Sequence, residues 1–170
     1  AHHEDDQLET LYMKKIDGAD WISKIGIRES IGKIKRPFLK IRKSMIREAA
    51  KDRDLSWIED PTNNDISLYR NYIRTVLLPK EVKKNPYLLN ELLEKSSTYK
   101  DKMSSLISTF NNNKQILVQH ESDLYLSINL NKIIELQIEE LKIFLYWCIK
   151  GNIDKKIPKK SRKFWNEFRE

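Results

Sequence analysis

The sequence predicts an α/β segment of about eighty residues followed by a mainly α-helical one. Three observations predict it. Up to residue 82, helical periods alternate with short extended runs and turn signals. From about residue 83, apolar residues recur at helical spacing over long stretches. Charged residues make up 34% of the 170 and hydrophobic ones 39%, which suits helices with wet faces and still allows a core. The predicted domains are residues 1–82 and 83–170.

Residues 4–15, EDDQLETLYMKK, read as a helix because Leu8, Leu11 and Tyr12 share a face. Its acids lead and Lys14 and Lys15 follow, which suits the macrodipole, and Gly18 supplies a break. IKRPFLKI at 34–41 reads as extended, since Pro37 disfavours helix for Arg36. KSMIREAAKDRD at 43–54 reads as a short helix. LSWIED at 55–60 reads as a strand closed by the turn signal DPTNND. SLYRNYIRTVLLP at 67–79 is helical and expected to end at Pro79.

In the second segment, residues 86–110 carry a helical run through Leu88, Leu92, Tyr99, Met103, Leu106 and Phe110, broken by the asparagines at 111–113. QILVQHESDLYLSINL at 115–130 suggests a hairpin around Glu121–Asp123. Residues 133–151 read as an apolar helix with Gly151 at its end. Residues 155–170 set lysines beside Phe164 and Trp165.

The net charge of +7 favours a polyanionic partner, nucleic acid before membrane. Eleven of the basic residues fall between 24 and 53, against three acids. No apolar run approaches the ~18–20 residues of a membrane span, and no signal peptide is visible. Cys148 is the only cysteine, which excludes an intrachain disulfide and a cysteine-rich metal or iron–sulfur site. A cytoplasmic protein is the simplest reading. Cys148 reads as a packed core thiol, and His120 as a polar residue near a turn.

Two clusters could carry chemistry. In the opening AHHEDDQLET, His2, Asp6, Glu9 and Met13 share a helical face, and Asp5 and Glu9 are four apart. Carboxylates this close repel unless a cation sits among them. The cluster is therefore either a solvated helix end or a site for something cationic; no recognised metal-ligand spacing is present. The second cluster is WIEDPTNND with YRNYIR. Asn63 and Asp65 fit a tight turn. Arg70 and Arg74, with Asn71 between them in the chain, place two guanidiniums in register, either as a bidentate anion site or as a solvated basic face.

Taken in order, HHEDDQLET, KRPFLKI, LSWIEDPTN and YRNYIRTVLLP resemble the bacterial tRNA(Ile)-lysidine synthases. The first motif is shared with other PP-loop ATP pyrophosphatases, including tRNA 2-thiocytidine synthetases; the later motifs point to the lysidine enzymes. The resemblance is dense to about residue 82 and general beyond it. It implies that residues 1–82 are the C-terminal part of a Rossmann-like PP-loop ATPase domain and that 83–170 form a helical tRNA-binding domain. The family's Ser-Gly-Gly-x-Asp-Ser loop, which grips ATP, does not occur in the sequence. The chain is therefore expected to be a fragment, inactive alone, whose uncovered sheet face favours oligomers such as a homodimer. Arg42 stands where the family places Ser or Thr, so the following helix lacks its usual cap, at ~1 kcal/mol, or is capped by Ser44.

The resemblance further implies an activity. The family uses ATP, with Mg2+, to adenylate the C2 oxygen of the wobble cytidine in tRNA(Ile) with a CAU anticodon. Free L-lysine then attacks C2. On this reading Asp6, Glu9 and Arg70 are catalytic, and Asp5, Asp6, Glu9 and Arg74 bind lysine. His2 and His3 line the nucleotide side. Lys35, Arg36, Lys40, Arg42 and Lys43, and in the tail Lys155, Lys156, Lys159 and Lys160, contact tRNA. No structural metal is expected. The competing readings are another PP-loop tRNA-modifying enzyme and a non-enzymatic basic helical RNA-binding module.

Overall fold

The computed structural model describes residues 2–121 and 126–152. The chain divides into two compact units, 1–99 and 100–170, and the division falls inside one long helix.

In the first unit, helix α1 (Glu4–Ile16) keeps acids in its first turn and Lys14 and Lys15 in its last. Leu8, Leu11 and Tyr12 are buried as their spacing predicts, against Ile73, Leu88 and Leu92. The helix ends just before Gly18, which adopts φ +62°. A 3-10 turn (Ser23–Ile25) leads to Gly26, whose φ of +80° is joined to a steric demand: a Cβ there would lie 2.6 Å from the Gln7 amide. Gln7 is buried on α1; its Nε2 donates to the Ile25 carbonyl at 3.2 Å and its Oε1 accepts from Ile27 N–H at 2.6 Å. One side chain thus pins this loop to α1.

Strands β1 (Ser30–Ile31) and β2 (Ile34–Lys35) form a short antiparallel hairpin. The extended reading of 34–41 holds only for its start. Beyond Arg36 the chain turns twice, with Leu39 N–H bonded to Arg36 O and Ile41 N–H to Phe38 O, and Leu39 is buried. Helix α2 (Lys43–Lys51) follows. The strand expected at 55–60 does not form: this run has no ladder partner, and Ile58 is 97% exposed. Its β-branched and aromatic residues have propensity but no neighbour to pair with. The turn after it forms as a 3-10 turn (Pro61–Asn64) capped by Asp60.

The helix predicted to end at Pro79 continues. It runs as α3 (Tyr69–Tyr72), a π-turn (Ile73–Leu77) and α4 (Leu78–Lys84). Leu78 N–H bonds to Ile73 O, five residues back, and this register shift places Pro79 in the first turn of α4. A missing N–H is tolerated there. Helix α5 (Leu88–Asn112) has the predicted period and runs through two of the three asparagines.

In the second unit, α6 (Lys114–Leu117) leads into the predicted hairpin, β3 (Val118–Glu121) paired antiparallel with β4 (Leu126–Ile128). Its turn lies outside the described residues. The helix expected over 133–151 starts only at Ile138, as α8 (Ile138–Asn152), and a separate short helix, α7 (Leu130–Ile133), precedes it. Phe110 and Phe144 meet edge-on at 5.2 Å, Trp147 stacks on Phe144 at 5.7 Å, and Cys148 is buried. Among the described residues the sheets are these two hairpins, so the uncovered sheet face expected from the sequence is not found there. No helix among them is long and apolar enough to cross a membrane.

Candidate functional site

The site is built on the N-terminal half of α1. His3 is its N-cap: Nδ1 accepts from Asp6 N–H at 3.3 Å, and Asp6 Oδ2 accepts from His3 N–H at 2.9 Å. This reciprocal box satisfies two amides that the helix cannot. It also fixes the Asp6 carboxylate beside the first turn. One turn on, Glu9 is 2% exposed, an unusual burial for a carboxylate.

The π-turn region delivers the cations. Arg70 Nε donates to Glu9 Oε2 at 2.8 Å, and its Nη2 reaches Asp6 Oδ1 at 3.2 Å and Asp6 O at 3.3 Å. Arg74 Nε donates to Glu9 Oε1 at 2.5 Å and its Nη2 to Oε2 at 3.0 Å. Glu9 therefore accepts three charge-assisted bonds from two guanidiniums, which is what makes its burial affordable. The Glu9 bond raises the Arg74 pKa further above its already high value. Arg74 Nη1 also reaches Asn63 Oδ1 at 3.4 Å. Asn71, buried on the same helix, donates to Thr62 O at 2.7 Å and Asp65 O at 2.9 Å and so anchors the turn that carries Asn63.

A second pair of contacts flanks this core. Arg42 Nε bonds Glu4 Oε1 at 2.6 Å, and its Nη1 donates to Asp5 Oδ1 at 2.9 Å. Asp5 Oδ2 accepts from Lys43 N–H at 2.7 Å. That amide belongs to the first turn of α2, so the cap Arg42 cannot provide comes from Asp5 on another helix, and Ser44 does not supply it. Burial pushes the Asp5 carboxyl up, but the Lys43 N–H and the Arg42 guanidinium outweigh it and hold it below its ordinary value.

The structure brings together Asp5, Asp6, Glu9, His3, Arg42, Arg70 and Arg74. Arg70 and Arg74 do not form an open anion site; they meet the acids of α1. His2 stands slightly apart, its Nδ1 accepting from Arg36 Nε at 3.2 Å. Of the basic residues expected to contact RNA, Lys40 is paired with Glu29 at 2.9 Å and Lys43 Nζ lies 3.7 Å from Glu59. Lys35 is exposed and makes no ion pair among the described residues. Lys155, Lys156, Lys159 and Lys160 lie outside the described residues. Sequence reasoning missed the Gln7 clamp and the Asp5 cap. Both are contacts between elements distant in the chain, which no local spacing encodes.

Residues 1–81 match the PP-loop domain family, a class with a Rossmann-like α/β fold. Among curated proteins the chain is 34% identical over 112 residues to the tRNA(Ile)-lysidine synthase of Lactiplantibacillus plantarum, covering 64% of this chain and 24% of that protein. It is 31% identical over 173 residues to the one of Wigglesworthia glossinidia brevipalpis, covering 95% and 40%. It is 28% identical over 167 residues to the one of Francisella tularensis subsp. novicida, covering 96% and 41%. These tRNA(Ile)-lysidine synthases are proteins to which the chain is similar, in two of them over nearly its whole length. It spans from about a quarter to two-fifths of the length of these relatives.

Proposed function

We propose that the chain serves the ATP-dependent ligation of L-lysine to C2 of the wobble cytidine of tRNA(Ile) with a CAU anticodon. On this reading residues 1–82 hold the lysine and residues 83–170 are a tRNA-binding domain. One observation carries the lysine assignment. Four carboxylates on α1 (Glu4, Asp5, Asp6 and Glu9) face three guanidiniums (Arg42, Arg70 and Arg74), which leaves one negative charge for an incoming cation.

Asp6 and Glu9 then have different tasks. The Asp6 side chain is 15% exposed and that of Glu9 3%. Asp6 is therefore the carboxylate that meets the substrate ammonium, while Glu9 is a positioning residue for Arg70 and Arg74. Arg70 keeps its Nη1 group uncommitted among the described residues, a donor for the lysine carboxylate or a phosphate.

The amine must also lose a proton. With a pKa of ~10.4, about one lysine in ~2,500 carries a neutral amine at pH 7, a cost of ~4.6 kcal/mol. Asp6 takes that proton as the C–N bond forms. ATP, when bound, supplies the adenylate that makes the C2 oxygen a leaving group, released as AMP. The family's phosphate-gripping loop is not in this sequence, so apart from the Arg70 Nη1 group no residue here is assigned to the phosphates. No group of three or more His, Cys, Asp or Glu among the described residues could hold a metal ion. The α1 acids, each engaged by a guanidinium, do not fit Mg2+ in this arrangement.

The test is incorporation of labelled lysine into tRNA(Ile) transcripts by the full-length protein. Glu9→Ala and Arg70→Ala should each lower it at least ~100-fold, the scale of losing a positioned electrostatic group. Wild-type turnover by either variant at saturating lysine refutes the assignment.

A further inference from the structure

Beside the site lies a groove of about 390 Å³ that the lysine-binding acids do not explain. Its walls are apolar: Phe38, Ile46, Trp57 and Ile58. Trp57 and Phe38 are 44% and 42% exposed, although neither packs in the buried core. Trp57 is nevertheless held in place. Its indole N–H donates to Glu59 Oε1 at 3.0 Å, and Arg47 grips the same carboxylate. That N–H first, and then the Arg47 guanidinium, lower the Glu59 pKa, so the anchor stays charged at neutral pH.

The polar groups around the groove are mixed. Lys43 and Arg47 offer donors; Glu59 and Asp60 offer acceptors, the latter already turned into the Thr62 turn. A purely cationic rim would suit phosphate. Apolar faces with donors and acceptors at the edge suit a flat heterocycle, which presents π-faces for stacking and a hydrogen-bonding perimeter. The groove also reaches His3 and Asn63, the residues that touch Asp6 and Arg74. A base lying in it would be next to the carboxylate proposed to receive the lysine amine.

We propose that this groove receives the unstacked pyrimidine base of the RNA substrate, with Trp57 as its stacking platform. The proposal rests on the reading given under Proposed function and names the base-binding part of that site. It gives a role to the WIED run, which forms no strand and leaves its apolar side chains in solvent.

The test uses the full-length protein and two RNAs, an anticodon stem-loop and the same stem-loop lacking only the wobble base, with Kd read by fluorescence anisotropy. Loss of one stacking contact is worth roughly five- to hundredfold. Trp57→Ala should weaken the intact RNA by that factor, Trp57→Phe should recover most of it, and the abasic RNA should bind Trp57→Ala and wild type alike. An equal loss on both RNAs, or none, overturns the proposal. A drop in melting temperature with base discrimination unchanged also overturns it, by assigning the groove to protein packing. Because binding is read without turnover, a wild-type protein that makes no lysidine defeats the proposed reaction and is distinguished from a failure of the groove.

Discussion

Replacing Glu9 by Ala should loosen the first unit at one identifiable place. Glu9 accepts bonds of 2.8, 2.5 and 3.0 Å from Arg70 and Arg74, and its side chain is only 3% exposed. Breaking a buried ion pair from one side costs about 3–5 kcal/mol, because the partner charge is left uncompensated. Here the partners retain water: the Arg70 and Arg74 side chains are 40% and 33% exposed. Solvent screening lowers the figure, to about 2–4 kcal/mol. Amide hydrogen exchange in the full-length protein reads this locally. Peptides over 4–16 and 69–84 should exchange roughly 30- to 1,000-fold faster, the rate equivalent of that range. Glu9→Gln, which keeps the acceptor oxygen but not the charge, should fall between. A cycle of Glu9→Ala with Arg74→Ala should be strongly non-additive. Exchange within threefold of wild type, or additive effects, would refute the clamp.

Asp5→Ala should weaken the start of α2 by about 1 kcal/mol, the value of a cap, seen as faster exchange over 43–51. Because the folded Asp5 pKa lies below the ordinary 3.8, its stabilisation is full above that value and is lost as pH falls through the folded one; acid titration of helicity should show this component in wild type and not in Asp5→Asn. Asn71→Ala should free the 61–65 turn at a cost of about 1–3 kcal/mol, since two carbonyls lose their donor; unchanged exchange over 60–68 would contradict it. Gly26→Ala should destabilise the first unit, because the new Cβ meets the Gln7 amide in a left-handed backbone; a melting temperature equal to wild type would contradict it. Lys35→Ala should lower the salt slope of tRNA binding by about one, and Arg42→Ala by less, its charge being met by Glu4 and Asp5; the reverse order would misplace the RNA surface.

What the sequence made legible was local. The face of α1, the period of α5, the Asp60 turn and the β3–β4 hairpin follow from spacing within one element, and the structure has them. Where tertiary contact decides, local reading failed. LSWIED has strand propensity, but a strand exists only with a partner. Pro79 should end a helix, but a π-turn moves it into a first turn where it is harmless. The site divided in the same way. The acids and the two arginines were visible as separate clusters, each seeking an opposite charge. That they seek each other, across some sixty residues of chain, could be seen only in the fold.

This mutual neutralisation explains why so acidic a start occurs in a chain of net charge +7. The acids are first of all a docking point for the protein's own basic elements. Arg42 and the Lys43 amide bring α2 to the α1 N-terminus, and Arg70 and Arg74 bring the π-turn helix to its buried side. Had the charges balanced, the cluster would be structural and nothing more. They do not: three guanidiniums leave one carboxylate's worth of charge, and the more exposed of the two central acids is Asp6. A single ammonium completes the balance, whereas a divalent metal would exceed it and would have to displace an arginine. On the proposed reading the ligand is a monocation bearing its own carboxylate, because the arginine that bonds Asp6 has a further edge to offer the opposite charge.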